Sequence, residues 1–176
     1  MKLLVHTCCA PCLVYISHYL KENGIDYSSL FYNPNIHPYK EYMKRFEHLK
    51  KFMQDENTEL FHLPSFMQVK WEKQSDNCDF CYKDRLETTV KFAKEHGFTH
   101  FTSSLLISPY QDHEKIKDIA KALANEYEVE FFYYDFRPNY REGQNMAREK
   151  GIYRQKYCGC IHSYRTSDFK DKITWD

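Results

Sequence analysis

The stretch KLLVHTCCAPCLVYISHYLKENGIDYSSLFYNPN, residues 2–35, decides the fold. Residues 3–6 form a short apolar run that reads as a first buried strand. Pro11 suits the first turn of a helix, where its missing N–H costs little. That helix runs to Asn23-Gly24, a helix-stop pair. Residues 27–32 read as a second strand, ended by Asn33-Pro34-Asn35. A strand, a helix and a strand in this order form one parallel β-α-β unit.

The rest of the chain repeats the alternation. Residues 38–52 are a charged amphipathic helix and residues 58–62 a third strand. A looser stretch, 64–77, precedes a helix from about Cys78 to His96, stopped by Gly97. Residues 99–106 read as strand then loop, 112–125 as helix, 130–135 as the last strand and 141–149 as a final helix, stopped by Gly151. The expected fold is a single α/β domain, a doubly wound, Rossmann-like parallel sheet with helices on both faces. The tail, 151–176, carries Cys158-Gly159-Cys160. In such sheets ligands sit beyond the carboxyl ends of the strands. TCCAPC, SSLLISPYQDH and DFRP each follow a strand, so three loops can face one crevice.

The 176 residues suffice for one domain with a real core. With hydrophobic residues at 42% and no long charge block, a disordered chain is excluded. A net charge of zero argues against a generic nucleic-acid binder but leaves room for a local basic patch. No apolar run approaches membrane-spanning length, and the start is too short for a signal peptide. A cytoplasmic protein is expected, so its seven cysteines need a cytosolic explanation. The two nucleotide fingerprints GxGxxG and GxxxxGK[ST] are absent, which disfavours a tightly bound dinucleotide or nucleoside triphosphate.

The cysteines fall in three groups: Cys8, Cys9 and Cys12; Cys78 and Cys81; Cys158 and Cys160. Isolated buried cysteines act as small hydrophobes, which does not explain three tight groups. A thioredoxin-like dithiol explains Cys9 and Cys12, at a helix start that stabilises a thiolate, and leaves the others idle. A metal site explains more. Cys78 and Cys81 are three apart, so both face one side of a helical turn. A structural zinc classically needs two clean knuckles, whereas iron–sulfur clusters tolerate scattered thiolates. Spacing alone puts iron–sulfur modestly ahead. Cys158 and Cys160 are either a small-ring redox pair, eased by Gly159 and labile by strain, or two more ligands.

Between Asp135 and Cys158 the chain carries Arg137, Arg141, Arg148, Lys150, Arg154 and Lys156 against Glu142 and Glu149, interleaved with Tyr140, Tyr153 and Tyr157. Arginines hold phosphates and tyrosines stack on bases. RNA contact through Arg137, Arg141, Arg154, Lys156 and Tyr153 is the favoured reading, against an ordinary solvated surface. Asp112 and Asp135 fall near strand ends, where each can ligate a hard metal, donate a proton or cap a helix.

Taken in order, HTCCAPC, NCDFCYKDRL, TSSLLISPYQDH, DFRPNYREG and YRQKYCGC resemble the cobalamin-independent epoxyqueuosine reductase family, the QueH type, from His6 to about Cys160. The resemblance implies an oxidoreductase of queuosine biosynthesis that reduces the epoxide of epoxyqueuosine, at the tRNA wobble position, to the alkene. It implies a nucleotide-alpha-hydrolase-like sheet and a [4Fe-4S] cluster on Cys8, Cys9, Cys78 and Cys81. It also implies a redox-active pair at Cys158 and Cys160. Cys12 matches the third cysteine of the first motif and is a further metal-ligand candidate without a fixed role.

Removing an epoxide oxygen as water takes two electrons and two protons, while a cubane moves one electron at a time. The second redox partner is then the Cys158/Cys160 dithiol or an additional mononuclear iron acting on the epoxide oxygen. Asp112 or Asp135 would bind that iron or deliver a proton. The partners implied are the anticodon stem-loop, its wobble base unstacked, and an external electron donor. The competing function is a zinc-stabilised RNA-binding module without catalysis.

Overall fold

The computed structural model describes residues 1–74, 76–168 and 170. Five strands form one parallel sheet: β1 (Leu3–His6), β2 (Tyr27–Phe31), β3 (Leu60–His62), β4 (His100–Ser103) and β5 (Glu130–Phe131), in the order β3-β2-β1-β4-β5. Every pairing is parallel, and β1 lies in register with β2 through Leu3↔Tyr27 and with β4 through Leu3↔His100. All four residues of β1 are buried, as a central strand covered on both faces requires.

The helices are α1 (Ala10–Glu22), α2 (Tyr39–Asp55), α3 (Gln68–Glu72), α4 (Cys78–Glu95), α5 (His113–Tyr127), α6 (Tyr140–Glu149) and α7 (Ile161–Thr166). Right-handed crossovers put α1 and α2 on one face, because β1 to β3 step toward one edge. After β3 the chain returns past β1 to β4 and continues outward to β5. That reversal puts α4 and α5 on the other face and leaves a crevice at the carboxyl ends of β1 and β4, where a doubly wound sheet binds ligands. α6 packs on α1, and α4 packs on α5 and under β1 and β4. Among the described residues no helix is long and apolar enough to cross a membrane.

The expected strand at 130–135 keeps only Glu130–Phe131 as strand. Its partner β4 stops at Ser103 and turns into a 3-10 segment at Ser104–Ile107, so the later residues have no ladder to join. Phe132 N still donates to the Phe101 carbonyl at 2.9 Å, after which Tyr134 leaves to stack on Tyr19 of α1. The short helices α3 and α7 lie in stretches read as loop and tail; five and six residues are too few for periodicity to register.

Candidate metal centre

The first three cysteines meet where β1 hands over to α1. Cys9 is the N-cap, with extended backbone at φ −170°, and Ala10 and Pro11 open the helix. The turn brings the sulfurs of Cys8, Cys9 and Cys12 within 4.8 Å of one another, all buried. The Cys8 and Cys9 sulfurs are 3.6 Å apart. Cys8 is the acidic member: the thiols of Cys12 and Cys9 turn toward it and lower it well below an ordinary cysteine, against the cost of burial. The Ser104 hydroxyl adds a contact to Cys8 Sγ at 3.4 Å and accepts from Cys8 N at 3.1 Å. Cys12 is raised by the same sharing, and Cys9 chiefly by burial.

Beneath them His6 is fully buried. Its Nε2–H donates to the Tyr32 carbonyl at 3.1 Å, so Nδ1 accepts from the Ser103 hydroxyl at 2.9 Å. Burial, and then the charge of Arg85, lower this imidazole to about 4. At neutral pH it is an uncharged fixture of the floor.

A cleft of about 1100 Å³ opens over this floor. Its walls include Cys8 and Cys12 from the β1 end, Cys78 and Cys81 from α4, and Cys158 and Cys160 from the tail. Six of the seven cysteines, from three distant parts of the sequence, therefore face one space, and the Cys9 sulfur lies within 4.8 Å of those of Cys8 and Cys12. Asn77 caps α4, its Oδ1 accepting from Phe80 N at 3.0 Å, which starts the helix at Cys78. Burial raises Cys81 to about 11, and burial likewise raises Cys78. Four or more convergent soft sulfurs fit an iron–sulfur centre in donor chemistry.

The Cys158-Gly159-Cys160 loop is held by an internal ion pair of α2. Glu41 and Arg45 are 0% and 1% exposed, with Arg45 Nε donating to Glu41 Oε1 at 2.6 Å. The two remaining arms of Arg45 donate to the carbonyls of Cys158 and Tyr157, each at 2.9 Å. His37 N donates to the Gly159 carbonyl at 2.8 Å, and the Tyr157 hydroxyl to the His37 carbonyl. The sulfurs of Cys158 and Cys160 lie 3.6 Å apart. Gly159 sits at φ +129°, and a Cβ there would meet Ile36 Cγ1 at 3.0 Å and Arg45 Nη1 at 3.2 Å. Gly159→Ala is expected to cost about 1–3 kcal/mol, read from urea unfolding; an unchanged midpoint would show that the loop relaxes freely.

The other expected site residues are placed differently. Asp112 is the N-cap of α5, accepting from Lys115 N at 3.1 Å, and lines a separate depression with Asp79 and Lys115. Asp135 is clasped by Arg137 through two contacts, at 2.8 and 2.7 Å, and that arginine holds it down at about 2. Neither carboxylate is among the residues that line the cleft, although the charge of Asp112 reaches Cys78 on its wall. Arg137 is correspondingly engaged. Tyr153 is not a free stacking ring: its hydroxyl donates to Glu41 at 2.8 Å and Lys44 sits 4.5 Å from its ring centre. Arg154 and Lys156 do line the cleft, while Arg141 is exposed on α6.

Sequence reasoning missed several cleft groups. Tyr110, 81% exposed, meets Tyr140 edge-on at 5.8 Å on the cleft wall. Gln155 Nε2 approaches Cys12 Sγ at 3.6 Å. Arg85 lines the cleft from α4, four residues after Cys81; that helical spacing was the available signal.

The profile of the family described as Epoxyqueuosine reductase QueH matches residues 3–166. A protein of that name from Dehalococcoides mccartyi is 39% identical over 167 residues, covering 92% of either chain. Its counterpart from Acinetobacter baylyi is 36% identical, covering 95% of this chain and 82% of the relative, and the one from Thermotoga maritima is 35% identical, covering 91% and 88%. Among solved structures, a deacetylase of the teicoplanin biosynthesis pathway superposes with a TM-score of 0.51 at 12% identity, covering 85% of this chain and 83% of that one. At that identity the likeness is one of fold.

Proposed function

This chain belongs to the epoxyqueuosine reductase family of the QueH type, and on that premise we propose how its cleft is divided between electron supply and substrate reduction. The protein is an oxidoreductase, an epoxyqueuosine reductase acting on tRNA. Cys8, Cys9, Cys78 and Cys81 hold a [4Fe-4S] cluster, and Cys12, within reach of Cys8, is the ligand left for an additional iron. When bound, the cluster supplies electrons singly from an external donor.

Cys158 and Cys160 carry the two-electron step. Reducing an epoxide to an alkene and water consumes two electrons and two protons. Closing a dithiol to a disulfide releases two of each, so the exchange balances without a further donor. The sulfurs already face each other at 3.6 Å and need only draw in to bond length. Arg154 and Lys156 at the cleft hold phosphates of the anticodon loop, and the Tyr110/Tyr140 corner receives an unstacked base. On this reading the protein works in the cytoplasm, alongside its tRNA.

The observation that carries this reading is the convergence of three cysteine groups on one cleft. Protein purified without oxygen is expected to be brown, with about four or more irons and matching labile sulfide per chain. Cys78→Ser is expected to lose both. Colourless protein carrying one zinc would favour the non-catalytic RNA-binding module instead.

A further inference from the structure

The electrostatics of the cleft have one unbalanced member. Arg85 of α4 is 3% exposed. Its Nε donates to the Cys81 carbonyl at 3.1 Å, and the ring of Tyr82 lies 6.0 Å from its Cζ. Among the described residues no carboxylate pairs with it. This contrasts with Arg45, the other fully buried arginine, whose three nitrogens all have acceptors and whose charge is met by Glu41. A buried cation without a counter-charge costs several kcal/mol, so the fold keeps Arg85 there for something anionic.

What surrounds it names the anion. Arg85 lines the cysteine cleft and sits four residues beyond Cys81 and seven beyond Cys78, on the same face of α4. Its guanidinium lies within electrostatic reach of Cys81, Cys8 and Cys158, one from each cysteine group. A cubane with four thiolate ligands is anionic in both oxidation states, and more so after reduction. A fixed cation therefore favours the reduced form, and guanidinium N–H groups aimed at sulfur do the same.

We propose that Arg85 is the buried counter-cation of the metal centre, a positioning residue that raises its reduction potential. The inference rests on the cluster assignment above and concerns this residue alone.

The test compares Arg85→Met and Arg85→Lys with wild type, all purified without oxygen. Iron and sulfide are measured first; a wild type without an iron–sulfur cluster overturns the cluster assignment rather than this inference. In loaded protein, a potentiometric titration followed by electron paramagnetic resonance reads the midpoint. Arg85→Met is expected to shift the one-electron equilibrium at least tenfold toward the oxidised form, about 59 mV more negative, and Arg85→Lys much less. Metal-free Arg85→Met is expected to melt no lower than metal-free wild type, since an uncompensated charge has left the interior. Failure of a well-folded Arg85→Met to load where Arg85→Lys loads supports the same role. An unchanged midpoint in loaded Arg85→Met, or loss of the metal-free fold, overturns it.

Discussion

Serine at position 158 is expected to leave the iron and sulfide content unchanged and to stop turnover, by at least about a thousandfold in single-turnover reduction of the tRNA epoxide. The expectation follows from how the cleft is built. Cys158 faces Cys160 at 3.6 Å and belongs to the tail, whereas the buried thiols within 4.8 Å of one another belong to the β1 end. The loop is tethered by backbone carbonyls to Arg45 and by Cys160, whose sulfur accepts from Ser163 N at 3.2 Å, so a hydroxyl at 158 leaves both tethers in place. What it removes is the partner with which, on the proposed reading, Cys160 closes a disulfide. If Cys158→Ser also strips the iron, the two tail cysteines are ligands and the division of labour falls.

The same loop has a pH signature. The Cys160 thiol donating to Cys158, aided by Ser163, lowers Cys158 to about 5 against the effect of burial, and raises Cys160. Because the folded value lies below the ordinary value of about 8.5, the thiolate persists down to about pH 5. Its stabilising contribution is full above about pH 8.5, shrinks as the pH falls below that, and is gone once the pH has fallen through about 5. Iodoacetamide labelling of Cys158 is expected to titrate with that midpoint and to vanish in Cys158→Ser.

The fold was readable because its signals are local. Leu3–His6 is buried on both faces and shows it in the apolar run Leu3-Leu4-Val5, and Asn23-Gly24 and Gly97 stop their helices where stop signals predict. The site was readable only through cysteine, a residue that seldom gathers in three tight groups unless its sulfurs act together. Which sulfurs meet depends on the reversal between β1 and β4, a property of strand order that no local window contains. Charged groups were harder still. Arg137 and Arg154 look alike in sequence, yet Arg137 is held by Asp135 while Arg154 lines the cleft. Asp135 reads as an acid near a strand end, and its clasp by Arg137 is a pairing that sequence alone does not reveal. Arg85 keeps helical spacing with Cys78 and Cys81, but its burial is masked in sequence because helix α4 carries charge along much of its length.

Glu41→Gln is expected to destabilise the fold more than Gly159→Ala does, by about 3–5 kcal/mol in urea unfolding of the metal-free protein. The carboxylate is 0% exposed and takes two hydrogen bonds, from Arg45 Nε at 2.6 Å and the Tyr153 hydroxyl at 2.8 Å. The amide keeps the shape but not the charge, and leaves the Arg45 guanidinium uncompensated inside the protein. Arg45→Met alone fails for the opposite reason, since it strands a buried carboxylate and frees the carbonyls of Tyr157 and Cys158. Replacing both, as Glu41→Leu with Arg45→Met, removes the charges together and is expected to recover a large part of the loss. Recovery should stop short of the tail: the two carbonyls still lack their donors, so amide exchange across 157–160 should remain faster than in wild type. This separates the two functions of the pair, which are to neutralise each other and to hold the Cys158–Cys160 loop beside the cysteine cleft. A Glu41→Gln protein as stable as wild type would mean that Arg45 finds its counter-charge elsewhere, and that the loop does not depend on this pair.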